Sequence, residues 1–472
     1  MYIKKIFSLI VFALCLTGFL YQPVLAGMHL PSGDNPDDPA GYPEFDPQWK
    51  EKQDAMFEKH GLKDGDVYDS TNCEKIKDLL PPSVYNWVKK GEWTIPIMAQ
   101  TYDFGTSWAK MQKYSDLNRG KYDIGPNQNL IEKASGSYPK DMTGLMFPVD
   151  DIDFSDPQGA AIRLMHNSFT YTRGSGGLVR DLLQEWIGDE GPQRSIHGTL
   201  NILSYLDSNN HIPNPNEFKS ATLLVFDEPH DIKGTAALTW RYLDGSADKG
   251  FTYIPVIRRV KRSNAASRST SSMGTDFCRD DQNCYWGTVE VMDWKLIKEL
   301  DYLVPTQVGN LDKIQNNTQL PDGSWDADKN VDPLVVGYQN PDWKGAPWAL
   351  QNVAWTPKAG WLIEMFPKDD YYTYGRQELY IPKRQGTPTF KIVYNRAGEY
   401  WKTITAIYNC YTRGTSIGSS TDSYLAVDDQ THHGTVAVSS GKYKTYTFRG
   451  LSRVPWIEPG MFTPNYLTRM SR

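Results

Sequence analysis

The fold is decided by residues 388–395, PTFKIVYN, and residues 399–409, EYWKTITAIYN. Phe390, Ile392 and Tyr394 share one face of an extended strand, and the other face is mostly polar. The three residues between the two stretches, Arg-Ala-Gly, are typical of a short hairpin connection. This alternation predicts a half-buried antiparallel sheet, because parallel strands are usually apolar on both faces.

Short runs of β-branched and aromatic residues bounded by Gly, Pro, Asp or Asn recur in the second half of the chain. They are 221–226 ATLLVF, 235–243 TAALTWRYL, 251–260 FTYIPVIRRV, 287–292 GTVEVM, 360–366 GWLIEMF and 376–382 RQELYIP. Helical patterns precede them at 46–61, 74–91 and 156–169. We expect residues 27–155 to form a helical and irregular region packed on the sheet. Residues 156–472 would then form the sheet domain, with an insertion at about 305–357.

The composition narrows the choice of partners. The 472 residues include 50 Lys and Arg against 56 Asp and Glu, so the chain is mildly acidic and nucleic acid is not an expected partner. Aromatic residues make up 13% of the chain. Since aromatic side chains favour pleated surfaces and bury large areas, they indicate β-structure and contact with apolar or sugar-like ligands.

The first 26 residues predict a secretory signal peptide. Two lysines precede the apolar run Ile6–Leu20, and small residues lead up to cleavage after Ala26. A membrane anchor is the alternative, but the run is shorter than the roughly 20 residues that span a bilayer. Leu14 precedes Cys15 where a lipoprotein signal needs a small residue. We therefore expect a periplasmic protein, not an integral membrane protein, that either is free or associates with the outer membrane.

Four cysteines remain after residue 26: Cys73, Cys278, Cys284 and Cys410. The stretch CRDDQNC, residues 278–284, does not have the spacing of a zinc ribbon, a redox pair or a haem attachment motif. In an oxidising compartment two cysteines this close in sequence are typical of a small disulfide loop. The spacing predicts a disulfide between Cys278 and Cys284.

Catalytic motifs of the G-x-S-x-G and H-E-x-x-H types do not occur in the sequence. The stretch FDEPHD gathers Asp227, Glu228, His230 and Asp231, which are residue types that bind divalent metals or act as acid and base. Between two strands such a cluster is more often a solvated turn. A hydrolase acting on a hydrophobic or glycan substrate, with Asp227, Glu228 and His230 as its catalytic groups, is one alternative function. No cofactor is indicated.

Several strand sequences carry a resemblance to a known family. FTYIPVIRRVKRS, GTDFCRDD, VMDWKLIKELDYLVP, PKDDYYTYGRQELYIPK and FKIVYNRAGEYWK occur in this order. Together they resemble a family of secreted bacterial proteins labelled as a domain of unknown function, DUF1329, which is grouped with the outer-membrane lipoprotein-sorting proteins of the LolA and LolB type. The resemblance covers most of the chain from about Gly144. It does not account for the two cysteines of CRDDQNC.

The resemblance implies a mainly β fold of the α+β class. An open, curved antiparallel sheet, or half-barrel, would carry helices on its concave face and leave an apolar cavity. It also implies a non-enzymatic carrier or chaperone whose ligand is a lipid, a lipidated protein or another hydrophobic compound such as an acyl chain. A structural protein that docks on an envelope transporter or an outer-membrane protein is a further alternative.

Candidate ligand contacts follow from the strands and the resemblance together. The candidates are the aromatic residues Trp240, Tyr242, Tyr253 and Trp401 and the basic residues Arg258 and Arg259. In one continuous strand, Tyr253, Ile257, Arg259 and Lys261 would share a face, and Ile254, Val256, Arg258, Val260 and Arg262 the other. The aromatic residues either line the cavity or pack the core. The basic residues bind either an acidic headgroup or the local acids Asp276, Asp280 and Asp281.

Overall fold

The structure, a computed structural model, describes most of the chain. The described residues are 46–100, 108–140, 142, 144–172, 176–206, 212–263, 266–308, 315–319, 321, 325–327, 334–384, 386–413, 416–446 and 457–470. The predicted signal peptide, residues 1–26, lies outside them.

Five α-helices lie in the described part of the chain: α1 Trp49–His60, α2 Pro82–Lys89, α3 Trp108–Asn118, α4 Pro157–Thr172 and α5 Pro464–Arg469. Helix α1 ends at Gly61, which adopts the left-handed conformation with φ 62°. Helix α2 begins at Pro82, where the missing N–H group costs no hydrogen bond.

The strands in chain order are β1 Val67–Tyr68, β2 Ile95–Pro96, β3 Tyr122–Ile124, β4 Leu130–Glu132, β5 Gly176–Gly188, β6 Gly191–Ser204, β7 Phe218–Glu228, β8 Ala236–Tyr242, β9 Lys249–Ile254, β10 Arg259–Ser263, β11 Met292–Val308, β12 Gln315–Gln319, β13 Trp325–Ala327, β14 Val353–Pro367, β15 Gln377–Pro382, β16 Phe390–Tyr394, β17 Tyr400–Arg413, β18 Ser416–Asp428 and β19 His433–Tyr446. Strands β5 to β19 form one 15-stranded sheet.

Thirteen of these strands follow one open antiparallel path. Its order is β10, β9, β8, β7, β6, β5, β19, β18, β17, β16, β15, β14 and β11. The short strands β12 and β13 link β17 to β19, and β11 touches β17 at one parallel bridge between Thr306 and Tyr408. The prediction of a mainly β fold built on a large open antiparallel sheet is confirmed.

The sheet from β14 to β18 is covered on both faces. One face, here the N-terminal face, packs against residues from 57–97 and 336–350. The other, the α4 face, packs against α4 and residues 278–292. Neighbours in sequence point to opposite layers: Leu425 contacts the first and Ala426 the second. The prediction of a half-buried sheet is therefore wrong here, because each face has its own covering layer.

Four tryptophans hold the N-terminal region on its face of the sheet. The ring of Trp93 lies 6.0 Å from Trp87, 6.3 Å from Trp348 and 5.4 Å from Trp355 between centroids. Trp93 also donates a hydrogen bond from Nε1 to the carbonyl oxygen of Leu350 at 2.9 Å. Residues 57–97 and 336–350, separate in sequence, thus share one apolar layer.

Residues 251–260 do not form one continuous strand. Strand β9 ends at Ile254, residues Pro255–Ile257 form a 3-10 turn, and Arg258 takes a left-handed conformation with φ 50°. The chain then returns as β10, which pairs Val260 with Tyr253. The predicted sharing of faces across residues 253–262 is wrong, because proline cannot continue the ladder and the chain reverses there.

Candidate functional site

Three of the predicted aromatic contacts lie together on strands β8 and β9. Trp240 packs at 5.3 Å from Phe218 and 4.7 Å from Phe251 between ring centroids, and its Nε1 donates to the carbonyl oxygen of Phe462 at 2.8 Å. Tyr253 is buried and Tyr242 partly buried in the same cluster, which the C-terminal segment around α5 covers. The chain itself therefore occupies the space next to these rings.

The fourth aromatic residue, Trp401, lies in a different cluster. Its ring meets Tyr374 edge to face at 5.4 Å, and Lys402 Nζ lies 4.5 Å from its centroid. Trp401 Nε1 donates to Asp428 Oδ2 at 2.6 Å. The structure thus does not bring Trp401 together with Trp240, and a binding role for either ring stays a prediction.

The basic residues Arg258 and Arg259 are exposed at the tip of the β9–β10 hairpin. The local acids proposed as their partners bind elsewhere. Lys391 Nζ lies 2.5 Å from Asp281 Oδ1, Arg268 Nε lies 3.4 Å from Asp280 Oδ2, and Trp186 Nε1 donates to Asp276 at 3.0 Å. Pairing of the basic run with these three carboxylates was therefore a wrong alternative.

The stretch 278–284 is buried against the α4 face of the sheet, and both of its cysteines are free thiols. Cys278 Sγ accepts a hydrogen bond from the Tyr374 hydroxyl at 3.2 Å, whereas Cys284 Sγ lies 3.9 Å from the carbonyl oxygen of Ile404. The predicted disulfide is absent from the structure, because Cys278 contacts Tyr374 in the β14–β15 connection whereas Cys284 contacts Ile404 on β17. Burial raises the pKa of both thiols.

Buried charged side chains around residues 278–284 form ion pairs with one another. Asp281 Oδ2 accepts hydrogen bonds from the Tyr374 hydroxyl at 2.9 Å and the Cys278 amide at 2.8 Å. Burial alone would raise the pKa of Asp281, but Lys391 and Lys402 outweigh it and hold that pKa below its usual value. A second buried pair joins Arg241 to Asp248 at 2.8 Å. The pair between Lys391 and Asp281 connects the stretch 278–284 to strand β16.

The four ionisable FDEPHD residues are exposed: Asp227 and Glu228 end β7, and His230 and Asp231 lie in the connection after it. Asp231 pairs with Arg194 at 2.8 Å, and Asp227 accepts a hydrogen bond from Thr199 at 3.3 Å. Over the described residues, no group of His, Cys, Asp or Glu is arranged to hold a metal ion. The cluster has the geometry of a solvated turn.

A cavity of about 460 Å³ lies beside α1, α3 and the middle of strand β14. Its apolar lining comes from Trp49, Met56, Leu145, Pro148, Val149, Pro357, Ala359 and Trp361. Its polar lining comes from Asp46, Lys52, Gln53, Gln100, Gln112, Ser115, Asp116, Arg119, Asp150, Lys358, Lys383 and Arg384. Sequence analysis did not find this site.

Basic residues outnumber acidic ones in the cavity lining. Five of the lining residues are Lys or Arg and three are Asp. The acids are held by neighbouring cations: Lys52 Nζ lies 2.8 Å from Asp46 Oδ2 and Arg119 lies 2.7 Å from Asp150 Oδ2. The Arg119 guanidinium lowers the pKa of Asp150, so this carboxylate is ionised at neutral pH. Lys383 is likewise paired with Glu299 at 2.7 Å, so three of the five lining cations contact carboxylates.

Gln100 is a buried lining residue with an unpartnered side-chain amide group. Its backbone is fixed by the side chain of Gln53, which donates to Gln100 O at 3.0 Å and accepts from Gln100 N at 2.9 Å. Gln100 is only 7% exposed, and its side-chain nitrogen Nε2 has no hydrogen-bond partner. A buried N–H group without a partner costs free energy that a ligand oxygen would recover.

The chain matches a protein-family model over most of its length. The model of the family described as "Protein of unknown function (DUF1329)" matches residues 67–468. The chain belongs to the DUF1329 family. The match begins at β1 and ends within α5, so the N-terminal layer from β1 onwards is part of the DUF1329 region.

Solved structures similar to this DUF1329 chain include three bacterial proteins. A domain from Vibrio parahaemolyticus classed with the outer membrane lipoprotein-sorting proteins is 17% identical, with a TM-score of 0.44 over 66% of this chain and 98% of that one. A DUF1329 protein from Desulfovibrio piger is 14% identical, with a TM-score of 0.42 over 66% and 99%. A LolA superfamily protein from Nitrosomonas europaea is 11% identical, with a TM-score of 0.38 over 65% and 98%.

No curated protein matches this DUF1329 chain. None of the helices in the described part of the chain has the length and apolar character of a membrane span.

The helix predicted over residues 46–61 supplies part of the cavity lining. Trp49, Met56 and Phe57 fall on one side of α1. Phe57 enters the core, whereas Trp49 and Met56 line the cavity. The remaining lining residues come from segments far apart in sequence, so no local pattern marks them.

Proposed function

We propose that this DUF1329 protein is a non-enzymatic periplasmic carrier that binds one amphipathic molecule, with an apolar chain and an anionic head, in the cavity beside α1 and α3. The observation that carries the proposal is the combination of an apolar wall with the unpartnered Nε2 group of Gln100. A catalytic group is not needed for such a role.

The apolar part of the ligand would lie against Trp49, Met56 and Trp361. A cavity of about 460 Å³ falls within the range of pockets that hold small organic ligands. Trp361 is fixed by stacking on Phe154 at 6.4 Å with an interplanar angle of 18°. A rigid aromatic wall of this kind contributes apolar contact with little loss of side-chain freedom on binding.

The head of the ligand would lie near Gln100 and the basic residues of the lining. Gln100 would donate Nε2–H to a carboxylate or phosphate oxygen of this head. The hydrolase alternative gains no support from Asp227, Glu228 and His230, since these side chains are exposed at the end of β7 and in the turn that follows.

The test is a titration of dansyl-labelled undecanoic acid and of its methyl ester into the purified protein. We expect the acid to bind more tightly than the ester. Ala359→Phe fills the cavity and should abolish binding of both probes, whereas Gln100→Met keeps the volume and removes the donor. Gln100→Met should weaken binding of the acid by about tenfold and leave the ester nearly unchanged, as expected for loss of a hydrogen bond to a charged group.

The control for these variants is Tyr371→Ala, because Tyr371 is exposed and is not part of the cavity lining. It should bind both probes as the wild-type protein does. Failure of the folded wild-type protein to take up either probe, or unchanged binding by a folded Ala359→Phe variant, would refute the proposal.

A further inference from the structure

The tip of the β9–β10 hairpin exposes two aliphatic side chains. Val256 is 84% exposed and Ile257 is 45% exposed, and both belong to the 3-10 turn Pro255–Ile257. Val256 projects because Arg258 closes the turn in the left-handed conformation, with its N–H bonded to the carbonyl oxygen of Pro255 at 3.0 Å. Single exposed aliphatic residues are common, but two adjacent ones at the end of a hairpin form a small apolar patch.

Four basic residues follow this apolar patch in the sequence. Arg258, Arg259, Lys261 and Arg262 are all exposed. Among the described residues none of the four forms an ion pair, because the carboxylates of Asp276, Asp280 and Asp281 are bound elsewhere. The positive charge of residues 258–262 is therefore available to an external partner, although the whole chain has a net charge of −6.

A simpler role for the basic residues is protection of an edge strand. Strand β10 is the terminal strand of the sheet, and charged side chains on edge strands prevent pairing between molecules. Protection explains the charges on Arg259 and Lys261. It does not explain Val256, since an exposed aliphatic residue at the tip favours association.

We infer that residues 255–262, the β9–β10 tip, dock the protein on an anionic lipid bilayer surface, with Val256 and Ile257 in the interface and the four basic residues against lipid phosphates. Aliphatic side chains next to Lys and Arg are the combination that binds such surfaces, through apolar burial and attraction to anionic lipid. The tip is separate from the cavity lining, so the inference does not depend on the proposed function.

The size of the expected effect follows from the number of charges. Each basic residue near an anionic surface contributes about fivefold to binding, so loss of two should weaken binding by about 25-fold. Removal of the Val256 side chain from the interface should weaken it by about tenfold. The binding should also fall as salt concentration rises, because the phosphate attraction is screened.

The experiment is co-sedimentation of the purified protein with vesicles of phosphatidylethanolamine and phosphatidylglycerol, and with vesicles of phosphatidylcholine alone. We expect binding to the anionic vesicles and little to the neutral ones. Arg258→Gln with Arg259→Gln, and separately Val256→Ser, should weaken binding by the factors given above. All proteins share one N-terminal segment, so a difference between them arises at the tip.

A matched control lies on β11, the strand at the other end of the antiparallel path. Lys295 and Lys298 are exposed there on either side of Ile297, which is 39% exposed. Lys295→Gln with Lys298→Gln, and separately Ile297→Ser, should leave vesicle binding unchanged. Equal losses in the β11 variants and the tip variants would overturn the inference. Absence of binding of the wild-type protein to anionic vesicles would also overturn the inference. The β9–β10 tip would then be a candidate contact for a protein partner.

Discussion

Nζ of Lys391 lies 2.5 Å from Oδ1 of Asp281, and both side chains are completely buried. Lys391 belongs to β16, and it also donates to the carbonyl oxygen of Asp280 at 2.9 Å. The pair therefore ties the stretch 278–284 to the middle of the sheet. A lysine that sequence alternation assigned to the polar face is instead the internal partner of a buried carboxylate.

Replacement of Lys391 by Met should destabilise the protein strongly. The change leaves Asp281 buried without its cation, and loss of one partner of a buried ion pair costs about 3–5 kcal/mol of unfolding free energy. Urea denaturation at neutral pH measures this loss. Addition of Asp281→Asn to Lys391→Met should recover part of it, because the uncompensated charge is then removed.

The control for this pair is Lys383→Met. Lys383 lies 2.7 Å from Glu299, but both side chains are partly exposed. Loss of this surface pair should cost less than about 1 kcal/mol. If Lys391→Met costs no more than Lys383→Met, or if Asp281→Asn adds fully to Lys391→Met, the buried pair does not contribute as we describe.

The stability of the protein should depend on pH through His166. Burial, together with the charges of Lys219 and Arg163, lowers the pKa of His166 to about 3 against the opposing hydrogen bond to Gln128 O. The unfolded chain takes up a proton below about pH 6.5, whereas folded His166 stays neutral, so stability is lost as pH falls through this range. Between about pH 7 and about pH 5 this single group should remove about 2 kcal/mol.

The measurement compares the wild-type protein with His166→Gln by urea denaturation across this pH range. Burial raises the pKa of Glu290 and Asp276, but these groups titrate in both proteins, so the difference between the two curves isolates His166. Glutamine can still donate to Gln128 O. Parallel curves for the two proteins would contradict the prediction.

Trp240 should act as a core residue. Its ring contacts Phe218 and Phe251, and its Nε1 binds the Phe462 carbonyl, so Trp240→Ala should cost about 3–5 kcal/mol. Trp240→Phe should cost less, since most ring contacts remain. Thermal or urea unfolding measures both changes. A folded Trp240→Ala variant with nearly unchanged stability and weaker uptake of the dansyl probe would instead favour the ligand role expected from the sequence.

Cys278 and Cys284 should behave as inaccessible thiols. Both are buried, and burial raises the pKa of each, so neither should react with maleimide in the folded protein at neutral pH. Both should react after unfolding in urea. Peptide mapping without reduction reports the pairing directly, and one linked peptide containing both residues would contradict the free thiols.

The alternation around Phe390 and the helical patterns at 46–61, 74–91 and 156–169 were sufficient to predict an antiparallel sheet and the approximate positions of α1, α2 and α4. Each of these signals is local: side chains alternate along a strand, glycine permits a left-handed helix end, and proline fits the first turn. The resemblance to the DUF1329 family came from strand sequences in the same way, and the family is confirmed over residues 67–468.

Local signals did not reveal the reversal at Pro255. The alternation across residues 251–262 fits either a long strand or a hairpin, and only the pairing of Val260 with Tyr253 separates them. The same holds for Trp240 and Trp401, which look equivalent as strand aromatics. They differ in their surroundings, because the segment around α5 covers Trp240 whereas Tyr374 packs on Trp401.

Local sequence patterns were thus enough for the type of sheet, the approximate positions of three helices and the family. The tertiary structure decided which layer covers each face, why Lys391 and Asp281 are buried together, and where a cavity is left. The physical reason is distance along the chain. Asp46, Leu145 and Trp361 meet in one cavity wall although they belong to different elements, and only long-range packing brings such residues together.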